Sequence, residues 1–361
     1  MSSTPVPVIS ALAGAELPKS VVIVDDARSW RRWLRAVLEK DPRLRVVGEA
    51  GSAEEAREVI KATDPNVLTL DVEMPGMNGL RFLEHLMRLR PMPVIMFSGH
   101  TTQTSVETVR ALSLGAVDCF HKSGDLSPRV VNDLRRRVLA AAGSAPQRVQ
   151  TRQDTVFYTP PEVPTALPLI LIGASTGGVL AIERTLTNLP ACTPPMVIVQ
   201  HMPASFLSSF VRRLDGLLPH KVFLAEEGRS VARGEIALAR ADGRQTGVNL
   251  TKQGWVTTRL DPHPDDVFTP SVDRLFEAAA PHAAQVVAAV LTGIGSDGAR
   301  GAAALAAGGA QILVQSEATC VVYGMPRAVR AEVSGSLEVS LADMGRGLVD
   351  AVSAIETGAR A

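Results

Sequence analysis

Residues 168–178 read PLILIGASTGG, an apolar run that breaks into a glycine-rich turn carrying one serine, Ser175. A short apolar run followed at once by small residues and then by a helical pattern is the strand-to-helix joint of an α/β sheet. Such a turn has two chemical uses. Its backbone N–H groups hold a phosphate, or it presents the serine hydroxyl against the positive end of the helix. The surrounding segments bear on which use applies.

Downstream, PPMVIVQH (194–201), KVFLAEE (221–227), AQVVAAVLTG (284–293) and QILVQS (311–316) repeat the strand pattern. Most precede helical stretches such as PASFLSSFVRRLDG (203–216) and SVDRLFEAAA (271–280). EIALAR (235–240), VNLTK (248–252) and WVTTRL (255–260) are shorter and closer together, which predicts a hairpin or meander inserted in the parallel sheet. Upstream, VVIV (21–24), VLTL (67–70), PVIMF (93–97) and AVDCF (116–120) alternate with helix-period segments and predict a second parallel sheet. In its first helix Trp30, Trp33, Leu34, Val37 and Leu38 form one stripe, with Arg31, Arg32 and Arg35 facing out. Between the two units, residues 144–168 lack apolar periodicity and hold Pro160, Pro161, Pro164 and Pro168, the composition of a linker. The expected class is α/β, two doubly wound parallel-sheet domains: a tail over 1–19, a first domain over 20–140, a linker over 141–167 and a second domain over 168–358.

Composition is consistent with this plan. A chain of 361 residues is long for a single core. Lys plus Arg and Asp plus Glu both number 37, so no net charge points to nucleic acid or an anionic membrane. Cys119, Cys192 and Cys320 fit no metal spacing and read as free thiols in a reducing cytosol. The opening MSSTPVPVISALAGAELPKS has no basic residue ahead of its short apolar stretch, and no later segment is long enough to span a bilayer. A cytoplasmic protein without direct membrane insertion is expected.

The first unit gathers acids at strand ends. One strand ends in Asp25-Asp26, others in Asp71 and Ser98, and the last runs into Lys122. Open parallel sheets bind ligands at the carboxyl ends of their strands, so these side chains converge on one place. Three carboxylates there make a hard oxygen site for Mg²⁺. Asp71 is placed to attack a phosphoryl donor, with Lys122 and Ser98 contacting the transferred oxygens. Singly, each acid would serve as a helix cap; the set points to one site.

The second unit poses a nucleophile question. A serine hydroxyl needs a base, normally an imidazole oriented by a carboxylate. His85, His100 and His121 belong to the first unit, His220 precedes a strand, and His263 and His282 lie beside prolines. Only His201 sits just beyond the carboxyl end of a strong strand. Among the acids, Asp297 follows the strand AQVVAAVL, whereas Asp265, Asp266 and Asp273 stand in loop or helix-start contexts explained by solvation or capping. Ser175, His201 and Asp297 thus share one sheet edge in an arrangement suited to a triad. GASTG also fits the G-x-S-x-G elbow of α/β-hydrolases, but in that family the acid precedes the histidine. A rival reading takes GASTGG and TGIGSDG as nucleotide-phosphate loops, although the G-x-G-x-x-G spacing is missing. Another takes the unit as a non-catalytic interaction module.

VVIVDDARSWRRWL, LTLDVEMPGMNGLRFLEHL, VIMFSGHT and ALSLGAVDCFHKS resemble the receiver domain of two-component response regulators. The resemblance implies a flavodoxin-like fold, Asp71 as phosphoacceptor, and Mg²⁺ held by Asp25, Asp26, Asp71 and the carbonyl of Glu73. It also implies Ser98 and Lys122 as phosphate-sensing residues and a chemotaxis histidine kinase as phosphodonor. Lys122-Ser123 stands where receivers usually have Lys-Pro, and Cys119 occupies the position of their aromatic switch residue.

LIGASTGG, VIVQHM, TPSVDRLFEAAA, VLTGIGSDGARG and SEATCVVYGMPRAV resemble the catalytic domain of the chemotaxis protein-glutamate methylesterase family, CheB. This implies a Rossmann-like domain with an inserted β-hairpin, Ser175 as nucleophile, His201 as base and acid, and Asp297 as the orienting carboxylate. Thr176, Ile294 and Gly295 become active-site neighbours. The implied reactions are hydrolysis of glutamate γ-methyl esters and deamidation of glutamines on methyl-accepting chemoreceptors, without a cofactor for hydrolysis. Ile294 replaces the family's usual Met, and IALARADGRQTG lacks a proline and a histidine the family carries there. A receiver packed over the triad would place hydrolysis under phosphorylation control.

Overall fold

The computed structural model describes residues 17–99, 102–122, 127–144, 156–160, 167–187 and 189–358. Most of the expected tail and linker, and Ser123, lie outside the described residues.

The first unit runs β1 (Lys19–Val24), α1 (Arg28–Leu38), β2 (Leu44–Ala50), α2 (Ala53–Thr63), β3 (Val67–Asp71), α3 (Gly79–Leu89), β4 (Val94–Ser98), α4 (Thr102–Ser113), β5 (Asp118–His121) and α5 (Pro128–Ala142). Its sheet has the order β2-β1-β3-β4-β5, all pairs parallel. β3 and β4 are buried along their whole length, because helices cover both faces, and that burial makes them largely apolar, with Thr69 inside β3 and Asp71 and Ser98 at the ends. β2 is an edge strand of mixed burial and does not stand out as an apolar run. In α1, Leu34, Val37 and Leu38 are buried and Trp30 stacks on Trp33 with centroids 4.6 Å apart. Arg32 faces out as expected, whereas Arg31 and Arg35 fold back onto Glu49 of β2 at 3.4 and 2.6 Å. The motif glycine Gly79 has a steric reason: a Cβ there would stand 1.9 Å from the carbonyl oxygen of Asp71.

The second unit runs β6 (Leu169–Ala174), α6 (Gly178–Thr187), β7 (Met196–Gln200), α7 (Ala204–Leu217), β8 (Lys221–Leu224), β9 (Glu235–Leu238), β10 (Gln245–Thr251), β11 (Gly254–Leu260) and α8 (Val272–Ala279). It continues with β12 (Val286–Val290), α9 (Ala299–Ala307), β13 (Gln311–Gln315), α10 (Met325–Glu332), β14 (Leu337–Val339) and α11 (Met344–Thr357). Seven strands form a parallel sheet in the order β14-β13-β12-β6-β7-β9-β8. EIALAR is not part of a meander: β9 lies between β7 and β8, with Ile236, Ala237 and Leu238 fully buried. The hairpin is β10–β11 alone, a separate antiparallel ribbon inserted in the chain before α8.

Both sheets reverse their direction of growth once. The reversal falls between β1 and β3 in the first and between β6 and β12 in the second, and each opens a crevice at the strands' carboxyl ends. The two units touch. One apolar cluster joins Leu112 and Ala116 to Ile182 and Phe206, and Val321 of the second unit packs with Phe120 and Leu134 of the first. Glu183, buried on α6, accepts from Ser113 Oγ at 2.7 Å and from Arg213 Nε at 2.5 Å. Within the expected linker, Tyr158 donates to Glu356 Oε2 at 2.6 Å and accepts from Arg233 at 2.7 Å, so residues 156–160 lie against the second unit. Among the described residues, no helix is long and apolar enough to cross a membrane.

Candidate functional site

In the first unit, β1 and β3 bring Asp25, Asp26 and Asp71 together, with one oxygen of each within 4.8 Å of the others. Lys122 reaches in from the end of β5, its Nζ 2.7 Å from both Asp25 Oδ2 and Asp71 Oδ2. Burial lifts the Asp71 pKa to about 6; Lys122 pulls it back down and the charge of Asp25 pushes it up. Three carboxylates against one ammonium leave two negative charges, and a hard divalent cation with oxygen ligands fits that donor set. Glu73 N–H donates to Asp71 Oδ1 at 3.3 Å, and the Glu73 carboxylate accepts from Thr104 at 3.0 Å. Ser98 is fully buried at the end of β4, beside this crevice.

In the second unit, the turn after β6 carries Ser175, the residue after β7 is His201, and the loop after β12 carries Asp297. The structure joins the last two directly: His201 Nε2 and Asp297 Oδ2 are 2.7 Å apart. Asp297 also accepts from Ser271 Oγ at 2.8 Å and from the N–H groups of Val272 and Asp273 at 2.8 and 3.0 Å. Burial pushes the Asp297 carboxyl upward, but the hydrogen bonds and charge of His201 and the two amides outweigh it and hold the carboxyl below its ordinary range. An ionised Asp297 fixes the proton on His201 Nε2, which leaves Nδ1 as the basic nitrogen. That Nδ1 is buried and has no hydrogen-bond partner. Ser175 and His201 line the same small cavity, and no hydrogen bond joins the Ser175 hydroxyl to the ring.

The turn is not shaped as a phosphate cradle. Ser175 N–H donates to Thr292 O at 3.0 Å, Gly177 N–H to Val117 O at 2.9 Å, and Gly178 N–H to Ser175 O at 2.8 Å. Three of its amides are therefore already satisfied, against the nucleotide-loop reading. Ile294 is buried and Gly295 adopts φ +91, both in the loop beside Ser175.

Gln200 and Asp118 lie inside the quoted stretches VIVQHM and ALSLGAVDCFHKS without a reactive signature of their own, and Phe268 lies outside every quoted motif. Gln200 holds the carbonyls of Ser175 and His201 through Nε2 at 2.9 and 3.0 Å. A buried amide at the end of an apolar strand was the available clue. Asp118, from the first unit, accepts from Thr176 Oγ1 at 2.7 Å. The cavity left beneath it is 10 Å³, room for about one water and not for an ester side chain. Phe268 stacks on His201.

Comparison with known proteins agrees with both halves. Residues 21–130 match the response regulator receiver domain model and residues 170–348 the CheB methylesterase model. The chain is 41% identical to protein-glutamate methylesterase/protein-glutamine glutaminase 1 of Caulobacter vibrioides, over 92% of this chain and 98% of that protein. It is also 41% identical to the protein of the same name from Rhizobium johnstonii, over 94% of this chain and 99% of the relative. With identity at this level over nearly the full length, the chain belongs to the CheB methylesterase family, with a receiver domain ahead of its methylesterase domain.

Proposed function

We propose that the chain is a phosphorylation-regulated protein-glutamate methylesterase and protein-glutamine glutaminase acting on methyl-accepting chemoreceptors in the cytoplasm. The observation that carries this reading is the buried His201–Asp297 pair, whose ring keeps an unpartnered Nδ1 and shares the lining of one cavity with Ser175. Ser175 Oγ attacks the γ-carbonyl carbon of the glutamyl ester or glutamine, and its proton passes to His201 Nδ1. Backbone N–H groups at Thr176 and Gly295 stabilise the oxyanion, with Ile294 as an apolar neighbour. Collapse breaks the bond to the leaving group, which takes the proton from His201 and departs as methanol or ammonia. Water, deprotonated by the same nitrogen, then releases the glutamate and restores Ser175.

The receiver supplies the control. Asp71 accepts the phosphoryl group from a chemotaxis histidine kinase, Ser98 and Lys122 contact its oxygens, and Asp25, Asp26, Asp71 and the Glu73 carbonyl would hold Mg²⁺. The cation, when bound, neutralises phosphoryl charge. Phosphorylation disturbs the β5 surface that covers Thr176 and opens the cavity to substrate. Methanol release from methyl-esterified receptors tests the reading: wild type with a phosphodonor releases it and Ser175→Ala does not. Equal rates for the two proteins would refute it.

A further inference from the structure

Residues 261–271 form a strap between the β10–β11 hairpin and α8, and it reaches the candidate triad twice. Phe268 lies flat on the His201 ring, centroids 4.4 Å apart and planes 13° from parallel. Three residues on, Ser271 Oγ and the first amides of α8 hold both oxygens of Asp297.

The strap is fastened by one side chain. Gln245, the first residue of β10, is fully buried. Its Nε2 donates to Phe268 O at 2.8 Å and to Asp266 Oδ2 at 3.0 Å, and its Oε1 accepts from Ser271 N–H at 2.8 Å. Both amide protons and the oxygen are therefore engaged by the strap. A buried amide is tolerable only when satisfied in this way, and β10 is held in turn by its full register with β11.

We propose that Gln245 and Phe268 are positioning residues for the hydrolysis, which rests on the triad reading given above. An imidazole turns on a soft terminal torsion with broad preferences. Asp297 fixes one point of the ring at Nε2, and the face of Phe268 fixes its plane; together they aim Nδ1. Gln245 sets both constraints at once, because the Phe268 carbonyl and the Ser271 amide are its partners.

Gln245→Glu tests this in the full-length protein. It keeps the size and the oxygen that receives Ser271 N–H, but sets a carboxylate oxygen against Phe268 O and Asp266. The kcat for methanol release should fall about 100-fold with KM within about twofold of wild type. The low-field proton NMR resonance of His201 Nε2–H should move or broaden. Unchanged kcat overturns the proposal, and so does a loss of kcat with that resonance unmoved. If Gln245→Glu does not fold, Phe268→Leu should lower kcat about tenfold, and Phe268→Tyr should restore most of the loss; wild-type kcat in Phe268→Leu overturns the proposal. The resonance is read without substrate. Should the wild type release no methanol, the functional reading fails, while a shifted resonance in Gln245→Glu still supports positioning and an unmoved one refutes it.

Discussion

Asp118 of the receiver accepts a hydrogen bond from Thr176 Oγ1 at 2.7 Å, beside the candidate nucleophile Ser175. One residue earlier, Val117 O accepts from Gly177 N–H at 2.9 Å. β5 thus adds its own bonds to the turn after β6, and the same Asp118 carboxylate holds Arg137 at 3.2 Å. The end of that strand carries Lys122, which touches Asp71. On the receiver side, the residue that touches Asp71 and the one that bonds Thr176 are consequently four positions apart, Lys122 and Asp118.

If this contact closes the site, weakening it should open the site without phosphate. A hydrogen bond to a charged acceptor contributes about 1.5–3 kcal/mol. Asp118→Asn removes the charge and keeps the shape, so methanol release in the absence of phosphodonor should rise about tenfold, the equivalent of about 1.4 kcal/mol. The phosphodonor-stimulated rate should move little. An unstimulated rate equal to that of wild type would show that Thr176 is not held by this bond in any way that matters.

Asp71 gives a pH dependence whose sign follows from its surroundings. Burial, with Asp25 adding and Lys122 opposing, lifts its pKa from 3.8 to about 6 in the folded protein. The folded state therefore binds more protons than the unfolded chain between those values, and stability falls as pH rises through that window. Above about pH 6 the ionised Asp71 is a fixed cost; below 3.8 it costs nothing. Asp71→Asn should accordingly raise the receiver's unfolding temperature at pH 8 in chelator, and the gain should vanish near pH 4. Calorimetry on the full chain at the two pH values measures it. A gain independent of pH would mean the carboxyl is not raised. By the same protonation, phosphorylation by a small phosphodonor should slow as pH falls below about 6.

How much of this was legible in the sequence depends on which residues carry their signal locally. β3, β4, β6 and β7 are buried on both faces, so VIMF, LILI and MVIV read as unbroken apolar runs and VLTL as one interrupted only by Thr69. β14 is a three-residue edge strand, largely exposed, with no such run. β9 is set apart from the ribbon that follows by its parallel pairing with β7 and β8, a long-range contact that its short run does not report. The placement of Ser175, His201 and Asp297 at one edge follows from where strands end, a local property. Gln245, Gln200 and Phe268 act through partners brought close only by folding, as Gln245 does with Ser271, 26 residues away. Asp118 meets Thr176 across 58 residues and two domains. No spacing rule reports such contacts, and an amide or a phenyl ring has no reactive signature to flag it.

The glycines of GASTGG return as a packing question. A Cβ at Gly178 would lie 2.1 Å from Gln200 Oε1 and 2.8 Å from Ala174 Cβ. Gln200 could swing aside only by releasing the Ser175 and His201 carbonyls, and the Ala174 Cβ has no torsion to turn on and moves only with strand β6. Alanine in place of a helical glycine gains about 0.5–1 kcal/mol, but overpacking a tight site costs about 1–3 kcal/mol, so the cost should prevail. Gly216 in α7 is the matched control, since a Cβ there meets nothing within 4 Å. Gly178→Ala should lower both the unfolding temperature and kcat, whereas Gly216→Ala should raise the temperature and leave kcat alone. If the two variants behave alike, Gly178 is a neutral spacer and the close approach of α6 to Gln200 does not matter for the serine.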